Sequence, residues 1–290
     1  MAQTKVTLWP WVLVLALVYT GVFLATRAAS RPQMEWRCVP MDGHRAGAVP
    51  VNRDNVTQAL GLFDADGYVS PADIHYPDGS PMSRVAAVMM DAQSGLAPLK
   101  VVIGHSDAMY LNLRTDPDLP LGNLIADALR DYGSRYFKVP MDFAITNFGG
   151  IRVPLPEGAV TMEDISSMFP FKNYICYVKM KGSGLQALLE QLAGTKAFQA
   201  VSGVTVRVKN HQLESALVGG QAIDPERVYN ITTIDFLLDG GDKLNIGALA
   251  LDVKLSKVLV KDVMLDFVSG CQARGEIISA KADGRVIMED

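Results

Sequence analysis

Asn147-Phe148-Gly149-Gly150-Ile151-Arg152 follows directly on the apolar stretch Asp142-Phe143-Ala144-Ile145-Thr146. The apolar residues predict a short strand. The glycine pair predicts a turn in which backbone can approach a ligand closely. The strand end aims Asn147 and Arg152 toward one place, and an Arg fork suits phosphate or carboxylate. Taken alone, the stretch is an ordinary glycine turn with a surface Arg, because glycine pairs mainly mark turns. Strands and helices alternate on both sides of it. Leu121–Ser134 predicts a helix, with Leu121, Leu124, Ile125, Ala128 and Leu129 on one face. Thr161-Met162-Glu163-Asp164 is a capping box opening a short helix to Met168. Tyr174–Lys181 alternates as a strand, and Gly182 leads into a helix from Ser183 to about Leu192. Val204–Val208 and Val228–Ile234 are further strands. Ser256–Cys271 suits a long final helix, followed by a strand over Ile277–Ala280. Hairpins mixed with helices indicate an α+β domain rather than a strictly alternating parallel sheet.

Two more stretches matter. Met168-Phe169-Pro170-Phe171-Lys172-Asn173 places a Phe beside a Pro in a loop, where it serves either as a core plug or as an aromatic platform. Asp235-Phe236-Leu237-Leu238-Asp239-Gly240-Gly241-Asp242 runs a strand into a glycine turn with an Asp on either side. Such carboxylates can accept hydrogen bonds from ligand hydroxyls, and Asp is also a favoured turn residue.

The order of the stretches is more specific than any one of them. Leu121-Gly122-Asn123-Leu124-Ile125-Ala126-Asp127-Ala128 comes first, then the strand with Asn147–Arg152, then Pro170-Phe171-Lys172-Asn173. Phe198-Gln199-Ala200-Val201-Ser202-Gly203-Val204 and Phe236…Gly240-Gly241-Asp242 complete the series. The series resembles the C-terminal, substrate-binding domain of the 5′-nucleotidase / UDP-sugar hydrolase family over about Val101–Ala250. The resemblance implies a layered α/β domain that recognises nucleotides. It implies that the base is gripped between Phe171 and Phe236, since every base offers a π face for stacking. It implies that Asp242 bonds the ribose hydroxyls, that Arg152 faces the phosphate and ribose side, and that Asn147 lies beside the base. Arg114 is the candidate for a further Arg upstream of the Leu-Gly-Asn-Leu helix. The chain departs from the family pattern at Phe148, where a third glycine is usual, at the spacing of Arg114, and at Lys243-Leu244 after Asp242.

In that family a separate metallophosphatase domain performs hydrolysis with two metals that clamp the phosphate and generate hydroxide. This chain has four histidines, His44, His75, His105 and His211, and none stands in an Asp-x-His, Gly-Asn-His or Gly-His-x-His setting. No catalytic residue, metal ligand or cofactor is therefore expected here. The divalent metals are expected on a separate metallophosphatase partner. Two rival readings stand beside this one. In the first, the chain is a non-catalytic module that binds nucleotides or nucleosides outside the cytoplasm. In the second, Phe171 and Phe236 have become core.

The 290 residues are 49% hydrophobic and 20% charged, which excludes a disordered tail protein. A net charge of −4 argues against a domain that binds nucleic-acid polymers, since phosphate backbones demand clustered Lys and Arg. Cys38, Cys176 and Cys271 are too few for a disulfide scaffold and have no zinc-knuckle spacing. There is no P-loop and no Gly-x-Ser-x-Gly elbow. Leu8–Ala25 is 18 residues without a charge, with Trp9, Trp11 and Tyr19 near its ends. That length can span a bilayer and exceeds the usual signal-peptide core of about 7–15 residues. Residues 1–30 are expected to be an N-terminal membrane anchor, or a signal segment cleaved near Ala28-Ala29-Ser30. Either way the rest is extracytoplasmic. Residues 31–95 are expected to be linker with a short helix at Ser83–Ser94, and residues 96–290 the 5′-nucleotidase-like domain. Asp64-Ala65-Asp66-Gly67-Tyr68-Val69-Ser70…Asp73 resembles the tail of an EF-hand loop but lacks the first carboxylate and the final Glu. Asn55 and Asn230 stand in glycosylation sequons, the second within a predicted strand.

Overall fold

The computed structural model describes residues 60–113, 117–195 and 198–289. The proposed anchor, Cys38, the Asn55 sequon and Arg114 lie outside the described residues. Among the described residues no helix is long and apolar enough to cross a membrane. The chain divides into two compact units, Met1–Val88 and Met89–Asp290.

In the first unit three short strands, β1 (Leu62–Phe63), β2 (Gly67–Val69) and β3 (His75–Pro77), pair antiparallel in the order β1-β2-β3. This stretch is rich in turn residues and carries no strand signal in its sequence. The Asp64 carboxylate accepts from the backbone N–H of Asp66 and Gly67 and lies 3.1 Å from His75 Nε2. Strands flank this loop, not the two helices of an EF-hand. Helix α1 (Pro81–Leu96) then leads into the second unit.

The second unit holds the remaining elements. Strand β4 (Val102–Ser106) is followed by helix α2 (Pro120–Phe137) and strand β5 (Phe143–Thr146). Strand β6 (Gly158–Thr161), helix α3 (Met162–Met168), strand β7 (Tyr174–Lys181) and helix α4 (Gly182–Ala193) come next. Then follow β8 (Ala200–Ser202), β9 (Val204–Lys209), β10 (Gln212–Val218), β11 (Gln221–Ala222) and β12 (Val228–Ile234). The chain ends with β13 (Ala250–Leu259), helix α5 (Val260–Arg274) and β14 (Val286–Glu289).

The main sheet has the order β13-β7-β12-β5-β8, with only β12 and β5 parallel. A second sheet, β11-β10-β9-β14, shows why β9 alternates: Val204, Val206 and Val208 are buried while the residues between them are exposed. β5 is buried at all four positions, so its apolar run needs no alternation. α2 packs across β8, β5 and β12, and α4 packs against β7, β12 and β10. The α2 face of Leu121, Ile125, Ala128 and Leu129 is buried as its spacing predicts. Pro120 opens that helix, where its missing N–H costs nothing. The capping box at Thr161 and Asp164 is formed in both directions.

Two expectations near the C-terminus are corrected. Residues 256–259 belong to β13, so the final helix begins at Val260 and runs to Arg274. β-branched Val258 and the pairing of Leu259 with Tyr174 extend the strand where apolar spacing alone predicted helix. Ile277–Ala280 is not a strand; Ile278 makes one bridge to Ser106, and the last strand is β14. Asn230 of the second sequon lies in β12, where its side chain accepts from the Tyr177 hydroxyl.

An ion-pair knot ties the C-terminal segment to α2. Arg285 donates to both oxygens of Asp127 and to both of Asp283, and also to the carbonyl of Val201. The Arg285 side chain is 13% exposed. The guanidinium beside Asp283 holds that carboxyl below its usual value of 3.8. A carboxyl depressed in the folded state adds stability that is present at neutral pH and lost as pH falls through its folded value. The melting temperature is therefore expected to be flat down to about pH 5 and to fall below about pH 4. Arg285→Leu is expected to cost about 2 kcal/mol at neutral pH, after allowance for solvent at the carboxylates. It should also remove part of the acid dependence. Melting curves of both proteins from pH 3 to 7 check this.

Candidate functional site

The buried strand β5 delivers Asn147 at its C-terminal end, and Phe148–Gly150 turns away in a single 3₁₀ turn. The Asn147 side chain folds back over that turn. A Cβ on Gly149 would lie 3.1 Å from Asn147 Nδ2, and one on Gly150 would lie 2.9 Å from Oδ1. A side chain at either glycine would crowd the amide. Asn147 Nδ2 donates to Asp242 Oδ2 at 2.8 Å. Its Oδ1 is buried and has no hydrogen-bond partner, an unmet acceptor of the kind that ligand sites retain.

Three neighbours hold the turn. Asn112 Nδ2 donates to the carbonyls of Phe148 and Ile151, at 2.9 and 2.8 Å. Gln199 Oε1 accepts from the Phe148 N–H at 3.0 Å. The Phe148 ring is buried against α2, where a Cβ on Gly122 would stand 2.4 Å from it. The bulky residue at this departure from the family pattern is thus absorbed into the core and leaves the turn open. Asn123 of the same helix has a structural role, bonding Asp118 and the carbonyl of Lys281.

Across from this turn, Asp235 accepts from the backbone N–H of Tyr174 and Phe236, which fixes the start of the second loop. Gly240 has φ +94°, and a Cβ on Gly241 would lie 2.1 Å from the Phe236 carbonyl and 2.6 Å from its ring. Only glycine lets the chain pass beneath Phe236 here. Asp242 and Lys243 both adopt left-handed backbone, with φ 49° and 64°. Such conformations persist in non-glycine residues only when surrounding contacts enforce them. Asp242 Oδ2 accepts from Asn147 and, at 3.4 Å, from Gln199 Nε2.

Asn147, Phe171, Phe236 and Asp242 line one cavity of about 220 Å³, together with Asn173 and the glycine pair. Phe171 is 49% exposed and Phe236 44%, so neither ring is core. The reading in which both had become core is thereby corrected. Arg152 reaches the same place: its guanidinium stands 5.7 Å from the Phe171 ring centre and donates to the Gly149 carbonyl. Four of the six residues singled out from sequence thus line one cleft, Arg152 stands at its edge against Phe171, and Arg114 lies outside the described residues. Asn173 and Gln199 were not singled out, although both stand within the motifs of the series. A larger open cleft of about 760 Å³ at the other end of β5 is lined by no aromatic ring.

The model of the 5′-nucleotidase C-terminal domain matches residues 102–248. The chain belongs to this family. Among curated relatives, the protein UshA of Yersinia enterocolitica is 26% identical over 200 residues, covering 64% of this chain and 36% of that protein. The endonuclease YhcR of Bacillus subtilis is 28% identical over 205 residues, covering 67% of this chain and 16% of that protein. The chain thus spans well under half the length of these relatives. A solved 5′-nucleotidase precursor from Thermus thermophilus superposes with a TM-score of 0.61. That match covers 79% of this chain and 49% of the other at 21% identity, which shows the fold alone. The matched residues contain the whole cleft and extend from β4 to just before β13.

The family's two-metal chemistry does not fit the side chains of this cleft. Its lining offers one carboxylate, Asp242, and no histidine. Among the described residues the one group of three metal-type ligands within reach of one another is Asp64, Asp66 and His75, which belongs to the first unit and is exposed. His105 contacts Gln272. The side chains that line the cleft are equipped to bind and orient a ligand: two aromatic faces, two side-chain amides and one carboxylate.

Proposed function

We propose that this chain is the nucleotide-recognition half of a 5′-nucleotidase-type phosphohydrolase. The observation that carries the reading is that Phe171 and Phe236, both half exposed, share one cleft with Asn147 and Asp242. A planar base enters between the rings, and stacking on each face is tolerant of base identity. Asn147 lies beside the base and braces Asp242 through its amide N–H. Asp242 keeps one carboxylate oxygen toward the ribose hydroxyls. Arg152, on the Phe171 side, faces the phosphate, with Arg114 the sequence candidate for a second cation.

Hydrolysis then requires a metallophosphatase domain carrying divalent metals, which closes over the nucleotide from a separate polypeptide. The uncharged run Leu8–Ala25 supports an extracytoplasmic protein anchored by its N-terminal helix. The metal-poor cleft also favours a second reading, a binding module without chemistry.

Calorimetric titration of the full-length chain with adenosine, AMP and UDP-glucose tests the core of this proposal. Saturable binding of at least one is expected. No binding by a folded protein would overturn both readings. Turnover of AMP that appears only when a metallophosphatase domain of the family is added selects the first reading, and unchanged binding without turnover selects the second.

A further inference from the structure

We propose that Gln199 is a positioning residue for the cleft: it orients the Asp242 carboxylate so that one oxygen is held inside the protein and the other is left for a sugar hydroxyl. The inference rests on the nucleoside reading above.

The geometry fixes the orientation of the Gln199 amide. The Phe148 N–H can only donate, so the group facing it at 3.0 Å must be the amide oxygen. The NH₂ then faces Asp242 Oδ2 at 3.4 Å. Asn147 presents a second amide N–H to the same oxygen. Asp242 Oδ2 is thus occupied by two neutral donors, and among the described residues no cation forms an ion pair with Asp242. An ionised carboxylate accepts and does not donate, so its remaining capacity selects hydroxyl or N–H groups.

Gln199 is well placed for this task. It lies between fully buried Phe198 and the first residue of β8, Ala200, which is also buried. Its two bonds join the glycine turn after β5 to the Gly-Gly-Asp turn after β12. Those turns are 43 to 51 residues away from Gln199 in the chain, so neither fixes the other locally. With the Asn147 bond to the same oxygen and the Gln191 bond to the Lys243 carbonyl, Gln199 helps hold the left-handed backbone of Asp242 and Lys243.

The test compares adenosine with 2′,3′-dideoxyadenosine, which lacks the hydroxyls that Asp242 would accept. In the full-length chain, Gln199→Leu is expected to weaken adenosine about tenfold. It should leave the dideoxy compound within about twofold, because the residue acts through Asp242. Gln199→Glu keeps an acceptor for Phe148 but sets a carboxylate against Asp242. It should weaken adenosine more than the Leu variant does. Equal losses on both nucleosides, or no loss on either, would overturn the proposal. Amide hydrogen exchange at Phe148 gives a readout without ligand, expected to accelerate in Gln199→Leu and to stay slow in Gln199→Glu. If the wild-type chain binds neither nucleoside, the nucleoside reading fails on its own. The clamp is then judged by exchange alone: acceleration in the Leu variant supports it, and unchanged exchange overturns it.

Discussion

Phe236→Ala is expected to weaken adenosine binding roughly 5- to 150-fold while the melting temperature stays within about 2 °C of wild type. The two halves of this expectation come from one observation. A ring that is 44% exposed contributes only part of its area to the folded state. Truncating a core Phe costs about 3–5 kcal/mol, and this ring is not in the core. The same open face is what a base would cover, and stacking on an aromatic ring is worth about 1–3 kcal/mol per base. Phe171→Ala should behave alike, with the added loss of the ring beneath the Arg152 guanidinium. Phe236→Trp should retain binding, because it keeps a flat apolar face. A large fall in melting temperature with unchanged affinity would show that the rings hold the fold and that the cleft is not the ligand site.

Much of this site was legible before the structure, and the reason is local. A buried strand followed by Asn-x-Gly-Gly, or by Asp-x₄-Gly-Gly-Asp, announces its turn through residue types that few other conformations require. The five-motif order then placed those turns in one domain type. Tyr174–Lys181 is legible as a strand from its alternation, and Val228–Ile234 from its β-branched residues. What stayed hidden depended on distant partners. Gln199 looks like any polar residue before a strand, and its role appears only when Phe148 and Asp242 are brought beside it. The start of α5 is not legible because Val258 falls in helical spacing with Val260, Val263, Met264 and Phe267, while the pairing of Leu259 with Tyr174 extends the strand. The short strands around Tyr68 were missed because three-residue segments carry no measurable period. Phe148 was read as a departure from the glycine turn, and only packing against Gly122 shows that the departure points inward.

Gly203→Ala is expected to destabilise the second unit by roughly 2–5 kcal/mol, a fall in melting temperature on the order of 10 °C. Gly203 joins β8 to β9 with φ +82°, a left-handed conformation that costs a side-chain-bearing residue about 1–2 kcal/mol. The added Cβ would also stand 2.2 Å from the carbonyl oxygen of Asp142. That carbonyl cannot easily retreat. The Asp142 N–H bonds the Asn230 carbonyl, while its side chain accepts from the Asn230 N–H and from Arg227. Relief must therefore come from the β8–β5 contact, where Ser202 pairs with Ala144. β5 is the strand that ends at Asn147, so the strain should reach the cleft and weaken nucleoside binding as well. Gly219 provides the control. It has φ +58°, but a Cβ there meets nothing within 4 Å. Gly219→Ala should cost only the conformational part, about 1 kcal/mol, and leave binding unchanged. The difference between the two variants isolates the clash. If both lose the same stability, the Asp142 carbonyl does yield, and the rigidity assigned to the start of β5 is wrong.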